Sequence, residues 1–221
     1  MDNPQSGQTT TPPLSISDWV QGEAGNFESW LGKVVLVEVF QVNCPGCFLY
    51  SLPQAIALHR RYAEQGLMVL GLATAFEDFD KNTLANLRLL LEKGEVVGET
   101  WRALMLYGRL RDGLWPERIP FPVAMDKLIP VEKPVSDESV ERFIRQKLPD
   151  FFRQSADYQN RIRLRVSEHL QRLDYQAETF ERFNLQGTPS HILVDKRGGL
   201  RASRFGEFSK LEDLIRQLLA E

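Results

Sequence analysis

Residues 42–47, VNCPGC, contain the only two cysteines of the chain, Cys44 and Cys47, three positions apart. Before them, residues 33–40 (KVVLVEVF) are rich in β-branched side chains and predict a buried strand. After them, apolar residues recur at helical spacing and predict a helix that closes near Gly66. Cys44 is therefore expected where a strand ends and a helix begins, and the backbone N–H groups and helix dipole at that position favour a thiolate.

A C-x-x-C pair is typical of a redox dithiol, but it also forms half of many zinc sites. A zinc site needs two further ligands at a suitable spacing. The three histidines, His59, His169 and His191, are scattered and form no H-x3-H pair. We predict a redox dithiol without a bound metal. A metal half-site and a pair of bystander cysteines are the alternatives.

Further features give the chain a family resemblance. Glu38 is the one charged residue in the apolar run 34–40 and lies six positions before Cys44, while Gly187-Thr188-Pro189 leads directly into a β-rich run. With the dithiol, this pattern resembles the thioredoxin-like superfamily. The segments FPVAMD at 121–126 and DKRG at 195–198 make it similar to the redoxin branch, which includes TlpA-type thiol–disulfide oxidoreductases and AhpC/TSA-like proteins.

The resemblance implies an α/β thioredoxin fold, with a central mixed β-sheet flanked by helices. Residues 67–74 are a second all-apolar run, and a strand, a crossover helix and another such strand imply parallel pairing. We predict a disordered tail at residues 1–14 and a thioredoxin-like domain at 15–221. The resemblance covers roughly residues 30–76 and 119–221, which leaves a first helical insertion at about 78–118. A second helical insertion is expected at about 127–176, where the pattern is strongly helical.

The resemblance also implies the catalytic residues Cys44, Cys47 and Glu38. Cys44 is the expected nucleophile towards a substrate disulfide, and Cys47 resolves the mixed disulfide. Glu38 is expected beneath the dithiol, exchanging a proton with Cys47; the alternative is an edge strand with Glu38 facing water. Pro189 is expected to follow a cis bond, with Thr188 pairing to an extended substrate; an ordinary trans turn is the alternative.

The substrate-binding residues expected on the dithiol loop are Asn43, Pro45 and Gly46. Asn43 stands where the family usually has tryptophan. Pro53 lies one position later after the dithiol than is usual, which predicts a bulge or a shifted helix register. His191 lies two positions beyond the cis-proline candidate; a core or edge histidine is favoured there over a proton shuttle.

The composition and the N-terminal residues restrict the kinds of partner and the cellular location that we expect. The net charge of -3 gives no basic footprint, so no nucleic acid partner is expected. The apolar runs are too short to span a bilayer, and residues 1–14 lack the features of a signal peptide. We expect a cytoplasmic protein, or a periplasmic one if a leader has been removed.

The function predicted from the sequence is a thiol–disulfide oxidoreductase that uses the CPGC dithiol without a cofactor. Its partners would be a disulfide-containing protein or small-thiol substrate and an unidentified electron donor. One alternative is a redox-sensing or redox-inactive partner-binding module on a thioredoxin scaffold. A thiol peroxidase is a weaker one, because no P-x-x-x-T-x-x-C motif precedes the pair.

Overall fold

The computed structural model describes residues 11–221. The strands are β1 (Ile16–Gln21), β2 (Val34–Phe40), β3 (Leu67–Ala73), β4 (Val123–Asp126), β5 (Leu128–Pro130), β6 (Tyr175–Ala177), β7 (Ser190–Val194) and β8 (Leu200–Phe205). The α-helices are α1 (Leu52–Tyr62), α2 (Leu84–Lys93), α3 (Gly98–Leu106), α4 (Asp137–Lys147), α5 (Ala156–Arg172), α6 (Glu178–Arg182) and α7 (Leu211–Ala220).

Six strands form the central sheet in the order β1-β4-β3-β2-β7-β8. The predicted parallel pairing of β2 with β3 is confirmed, and β7 runs antiparallel to β2 on its other side, so the sheet is mixed. Every residue of β2 is buried because both faces of this strand are covered. Val34, Leu36 and Phe40 face the same apolar core as Cys47 and α1, whereas Val35, Val37 and Val39 face the opposite core.

The helix after the dithiol begins irregularly. Residues Cys47–Ser51 form a π-helical turn, in which the N–H of Leu52 donates to the carbonyl of Cys47. Such a turn inserts one extra residue into a helix. The bulge predicted from the late position of Pro53 is therefore confirmed, and Pro53 falls in the first turn of α1, where its missing N–H costs little.

The first inserted segment contains α2 and α3. Thr83 is the N-cap of α2, its hydroxyl accepting from the N–H of Asn86. The helix ends at Gly94, whose left-handed backbone suits glycine.

The second inserted segment is a helical hairpin joined to the domain by a short two-stranded sheet of β5 and β6, which the sequence pattern missed. Its helices α4 and α5 enclose a small core of their own: Val140, Ile144, Phe151, Val166 and Leu170. Ser136 caps α4, and Ser155 caps α5.

The two ends of the described chain pack on the domain. Residues 1–10 of the predicted tail lie outside the described residues. Residues 11–14 depart from that prediction, since the hydroxyl of Thr11 donates to the carbonyl of Gly198 over 2.7 Å. At the other end, α7 is tied to α1 by Glu212, which accepts from Tyr62 and Arg61. None of the helices within residues 11–221 is apolar over a bilayer's width.

Candidate active site

The two cysteines lie together at the junction of β2 and its following helix, as free thiols. Cys44 is half-buried in the loop, whereas Cys47, the first residue of the π-helical turn, is completely buried. The thiol of Cys47 donates a hydrogen bond to the sulfur of Cys44 over 2.8 Å. The accessible sulfur therefore belongs to the residue predicted to be the nucleophile.

The two sulfurs have opposite acidities. The hydrogen bond from Cys47 lowers the pKa of Cys44 from 9.0 to about 7, and backbone N–H groups of Gly46 and Cys47 add to this, against the opposing effect of burial. Burial raises the pKa of the Cys47 thiol well above 9.0, and so does the neighbouring Cys44 sulfur. Near neutral pH the half-buried sulfur ionises, so that a substantial fraction of Cys44 is thiolate, while the buried sulfur keeps its proton.

The segment before β7 lies against the dithiol. The Thr188–Pro189 peptide bond is cis, and the Thr188 carbonyl lies 3.5 Å from the Cys44 sulfur. The Thr188 hydroxyl donates to the side-chain oxygen of Gln41 over 3.0 Å, which fixes this segment to the end of β2. A side-chain carbon placed on Gly46 would lie 3.7 Å from Pro189, so the dithiol loop and this proline are in close contact.

Glu38 lies on a central strand and is completely buried, so the alternative of a water-facing edge position is wrong. Its register partner on β7 is His191. The Oε2 atom of Glu38 lies 2.8 Å from Nδ1 of His191, and the imidazole Nε2 donates to the Gly206 carbonyl over 3.1 Å. His191 is thus a buried partner of Glu38, which sequence reasoning missed because it requires the register between two distant strands.

The charge of Glu38 affects the pKa values of both His191 and Cys47. Burial acts to lower the pKa of His191, but the hydrogen bond and charge of Glu38 outweigh it and raise that pKa above 6.5. The negative charge of Glu38 contributes to the raised pKa of Cys47. Glu38, His191 and Cys47 therefore form one electrostatically coupled group beneath the accessible Cys44 sulfur.

Asn43, predicted as a substrate contact, is instead turned into the protein. It is only 9% exposed, and its side chain bridges the dithiol loop to the first inserted segment. The Oδ1 atom accepts from the N–H of Glu99 over 2.7 Å, and Nδ2 donates to Asp78 over 2.7 Å. Its backbone N–H donates to Asn82 over 2.8 Å. Pro45 and Gly46, by contrast, are partly exposed beside Cys44.

Exposed apolar side chains flank the site. On α3, whose first turn is held by Asn43, three are exposed, Trp101, Met105 and Leu106, and Tyr107 directly after the helix is a fourth. Tyr50, in the π-helical turn, is 70% exposed. On the opposite side the ring of Phe205 packs against Gly187, where an added side chain would collide with it. Trp115 is not one of these exposed side chains, since it is buried against Phe48 with ring centroids 4.9 Å apart.

Solved structures of known proteins show the superfamily to which this fold belongs. No family model matches the sequence, and no curated protein does. Among solved structures, a thiol-disulfide isomerase from Corynebacterium glutamicum is 27% identical, with a TM-score of 0.59 over 97% of this chain and 98% of that one. A thioredoxin-like superfamily protein is 25% identical, with a TM-score of 0.58 over 96% and 97% of the two chains.

The chain is a thioredoxin-like protein. The predicted fold class is confirmed. A further thioredoxin-like protein, solved in its oxidized form, is 14% identical with a TM-score of 0.52 and supports the fold alone. The narrower likeness to TlpA-type and AhpC/TSA-like proteins stays a prediction.

The chemistry open to this thioredoxin-like protein follows from its donor groups. Among residues 11–221, no three His, Cys, Asp or Glu side chains are grouped as metal ligands would be. The thiolate of Cys44 is a nucleophile with solvent access, and a protonated thiol lies in hydrogen-bond contact with it. These groups suit thiol–disulfide exchange.

Proposed function

We propose that the protein is a thiol–disulfide oxidoreductase that reduces disulfides of a protein or small-molecule substrate through Cys44 and Cys47. One observation carries the proposal: a half-buried cysteine with a pKa of about 7 lies 2.8 Å from a fully buried cysteine with a raised pKa. This asymmetry separates the attacking sulfur from the resolving sulfur, as a two-step exchange requires.

In the first step, the Cys44 thiolate attacks one sulfur of the substrate disulfide. A Cys44–substrate disulfide forms, and the other substrate sulfur leaves as a thiolate. The Thr188 carbonyl, 3.5 Å from the Cys44 sulfur, lies where a main-chain N–H of an extended substrate would meet it. Thr188, Pro189, Pro45 and Gly46 are the proposed substrate contacts.

In the second step, Cys47 loses its proton and attacks the Cys44 sulfur. The Cys44–Cys47 disulfide forms, the bond to the substrate breaks, and its second sulfur leaves as a thiolate that takes up a proton. Glu38 is the proposed acceptor of the Cys47 proton, since its Oε1 atom is buried and has no hydrogen-bond partner among the described residues. The substrate disulfide is thereby reduced to two thiols, and an external dithiol must reduce the enzyme again.

Insulin reduction with dithiothreitol as electron donor tests the proposal. The wild-type protein should accelerate the reaction, whereas Cys44→Ser should give the uncatalysed rate. Equal rates for the two proteins would refute the proposal. Equilibration in redox buffers then gives the reduction potential of the Cys44–Cys47 disulfide and with it the direction of electron flow. A potential of about -270 mV fits a reductant of the cytoplasm, and one of about -120 mV fits an oxidant.

The exposed apolar face of α3 favours a second candidate, a module that binds a partner and carries the dithiol as a redox sensor or a relic. In that case a partner would bind the Cys44→Ser variant as tightly as the wild type. Substitution of Trp101 and Met105 by serine would weaken that binding, while insulin would not be reduced by any of these proteins.

A further inference from the structure

Two ionisable side chains lie next to each other in the interior of the sheet. Glu38 on β2 is 0% exposed and His191 on β7 is 1% exposed, and the two residues are direct register partners. Leu36 and Phe40 on β2, like Leu193 on β7, face the core that contains Cys47. Since side chains alternate between the faces of a strand, Glu38 and His191 lie on that same face.

The hydrogen-bond partners of the imidazole determine which of its nitrogens carry a hydrogen. The Gly206 carbonyl can only accept, so Nε2 of His191 carries a hydrogen. One proton then lies between Nδ1 and the Oε2 atom of Glu38, 2.8 Å apart. With this shared proton the pair as a whole is neutral, whether as imidazolium and carboxylate or as imidazole and carboxylic acid. A buried carboxylate without such a partner would be strongly disfavoured.

The second oxygen of Glu38 is not used by the pair. Oε1 is buried and has no hydrogen-bond partner among the described residues. The two nitrogens of His191 cannot serve it, because one contacts Oε2 and the other donates to the Gly206 carbonyl. A buried acceptor without a partner is costly. Oε1 therefore remains able to accept a proton on the face of the sheet that Cys47 also occupies, and the charge of Glu38 already acts on the pKa of that thiol.

We propose that His191 is a positioning residue: its imidazolium fixes Oε2 of Glu38 and holds the side chain as a carboxylate, which leaves Oε1 to accept the proton of Cys47. The proposal rests on the proposed thiol–disulfide exchange and assigns one residue to its second step. During that step the Cys47 proton moves to Oε1, and the Cys47 thiolate then displaces the substrate sulfur from Cys44. His191 itself neither forms nor breaks a covalent bond.

The other charged groups around His191 lie towards solvent. Arg204, its register partner on β8, is exposed, as is Glu207 in the turn that follows. Phe208 covers the imidazole, with ring centroids 6.2 Å apart. On α7, Glu212 is held by Arg61 and Tyr62, and Asp213 and Arg216 pair with each other on the exposed side. Among these groups on β2, β8, α7 and the loop between β8 and α7, Glu38 is the one that contacts the imidazole in the interior.

A dipyridyl disulfide separates the two steps in one stopped-flow trace. One thiopyridone is released when Cys44 attacks, and a second when Cys47 resolves the mixed disulfide. In His191→Phe, which keeps a ring of similar size, the carboxylate loses its cationic partner. The half-maximal pH of the second phase should therefore rise by about one unit or more, so that this phase slows about tenfold on the acid limb.

Two variants serve as controls. His191→Asn retains a donor towards Glu38 but no charge, and should shift the second phase in the same direction by less. Ser190→Ala removes a buried hydroxyl from the same strand, where it donates to Gly187 rather than to Glu38, and should keep the wild-type midpoint. If His191→Phe does not fold, His191→Asn decides: an unchanged pH profile of the second phase in the folded variant overturns the proposal.

Nitrogen-15 NMR of the histidine rings gives a readout that is independent of turnover. In the wild type, the His191 ring should titrate above its ordinary midpoint, and Glu38→Gln should lower that midpoint. An unchanged midpoint in Glu38→Gln overturns the pairing. A wild-type protein with no second phase and no insulin reduction would instead overturn the proposed function, so the two failures are distinguishable.

Discussion

The side-chain oxygen of Asn43 accepts a hydrogen bond from the backbone N–H of Glu99, although the two residues are far apart in the chain. Glu99 is the second residue of α3, and the N-cap position of that helix is Val97, which has no capping side chain. Asn43 supplies the missing acceptor from the dithiol loop, one residue before Cys44. The position of the active-site loop and the position of α3 are therefore linked by one side chain.

Asn43→Ala should lower the free energy of unfolding by about 1–2 kcal/mol, because it removes an N-terminal capping bond and a second bond to Asp78 from a buried position. Urea denaturation measures this loss. Asn26→Ala is the matched control, since Asn26 accepts a similar bond from Ser29 in an exposed turn and its loss should be smaller. Equal losses would mean that the bridge does not stabilise the fold.

The rate of Cys44 alkylation by iodoacetamide should rise with pH around a midpoint of about 7, since only the thiolate reacts. In Cys47→Ala the midpoint should move up towards 9.0, because the hydrogen bond from Cys47 is the largest cause of the lowered pKa. Mass spectrometry identifies which cysteine is modified. A wild-type midpoint near 9.0, or no shift in the variant, would contradict the assignment of the attacking sulfur.

Cys47→Ser should trap the substrate on Cys44 as a mixed disulfide, because the resolving sulfur is gone while the accessible nucleophile remains. Intact-mass spectrometry after mixing with oxidised glutathione detects the adduct. Cys44→Ser should form no comparable adduct within the same time, since Cys47 is completely buried and its pKa is raised. Faster labelling of Cys47 than of Cys44 would reverse the proposed roles.

The helical hairpin of α4 and α5 should be removable. Val131 donates a backbone hydrogen bond to Asp174, and beside them β5 pairs with β6, so Asn-Gly in place of residues 132–173 can close a tight turn. Since the hairpin has its own core, the shortened protein should fold and should reduce oxidised glutathione at a rate within about twofold of the wild type.

Circular dichroism and a cooperative thermal transition check the fold of the shortened protein, and its Cys44→Ser version gives the background rate. Loss of the transition would mean that the hairpin supports the main core, for example through the Lys147–Glu181 ion pair. A folded but inactive protein would mean that the hairpin is part of the substrate site.

Features decided by neighbouring residues were predictable from the sequence. The apolar runs of β2 and β3 determine the parallel core of the sheet, and the dithiol with its flanks determines where the site lies. The position of Pro53 alone revealed the irregular helix start. In each case the information lies within a few residues, where spacing and side-chain type are sufficient.

Features that depend on distant contacts were not predictable. The pairing of Glu38 with His191 needs the register of two strands, which a single sequence does not provide. Asn43 was assigned to the substrate because it precedes Cys44, but its partners lie in the first inserted segment, in the loop before α2 and in α3. A polar side chain binds the nearest groups that satisfy it, and those groups are known only once the tertiary fold is known.

The extra residue of the π-helical turn matters for any alignment between this chain and other thioredoxin-like sequences. The cysteines and Pro53 cannot both be matched without a one-residue gap in Cys47–Ser51. If the gap is omitted, every residue of α1 is assigned to the helix position next to its own, about 100° away around the helix axis. Buried positions such as Ile56 would then be compared with exposed ones, so substitutions transferred from a relative to α1 should be placed by structure.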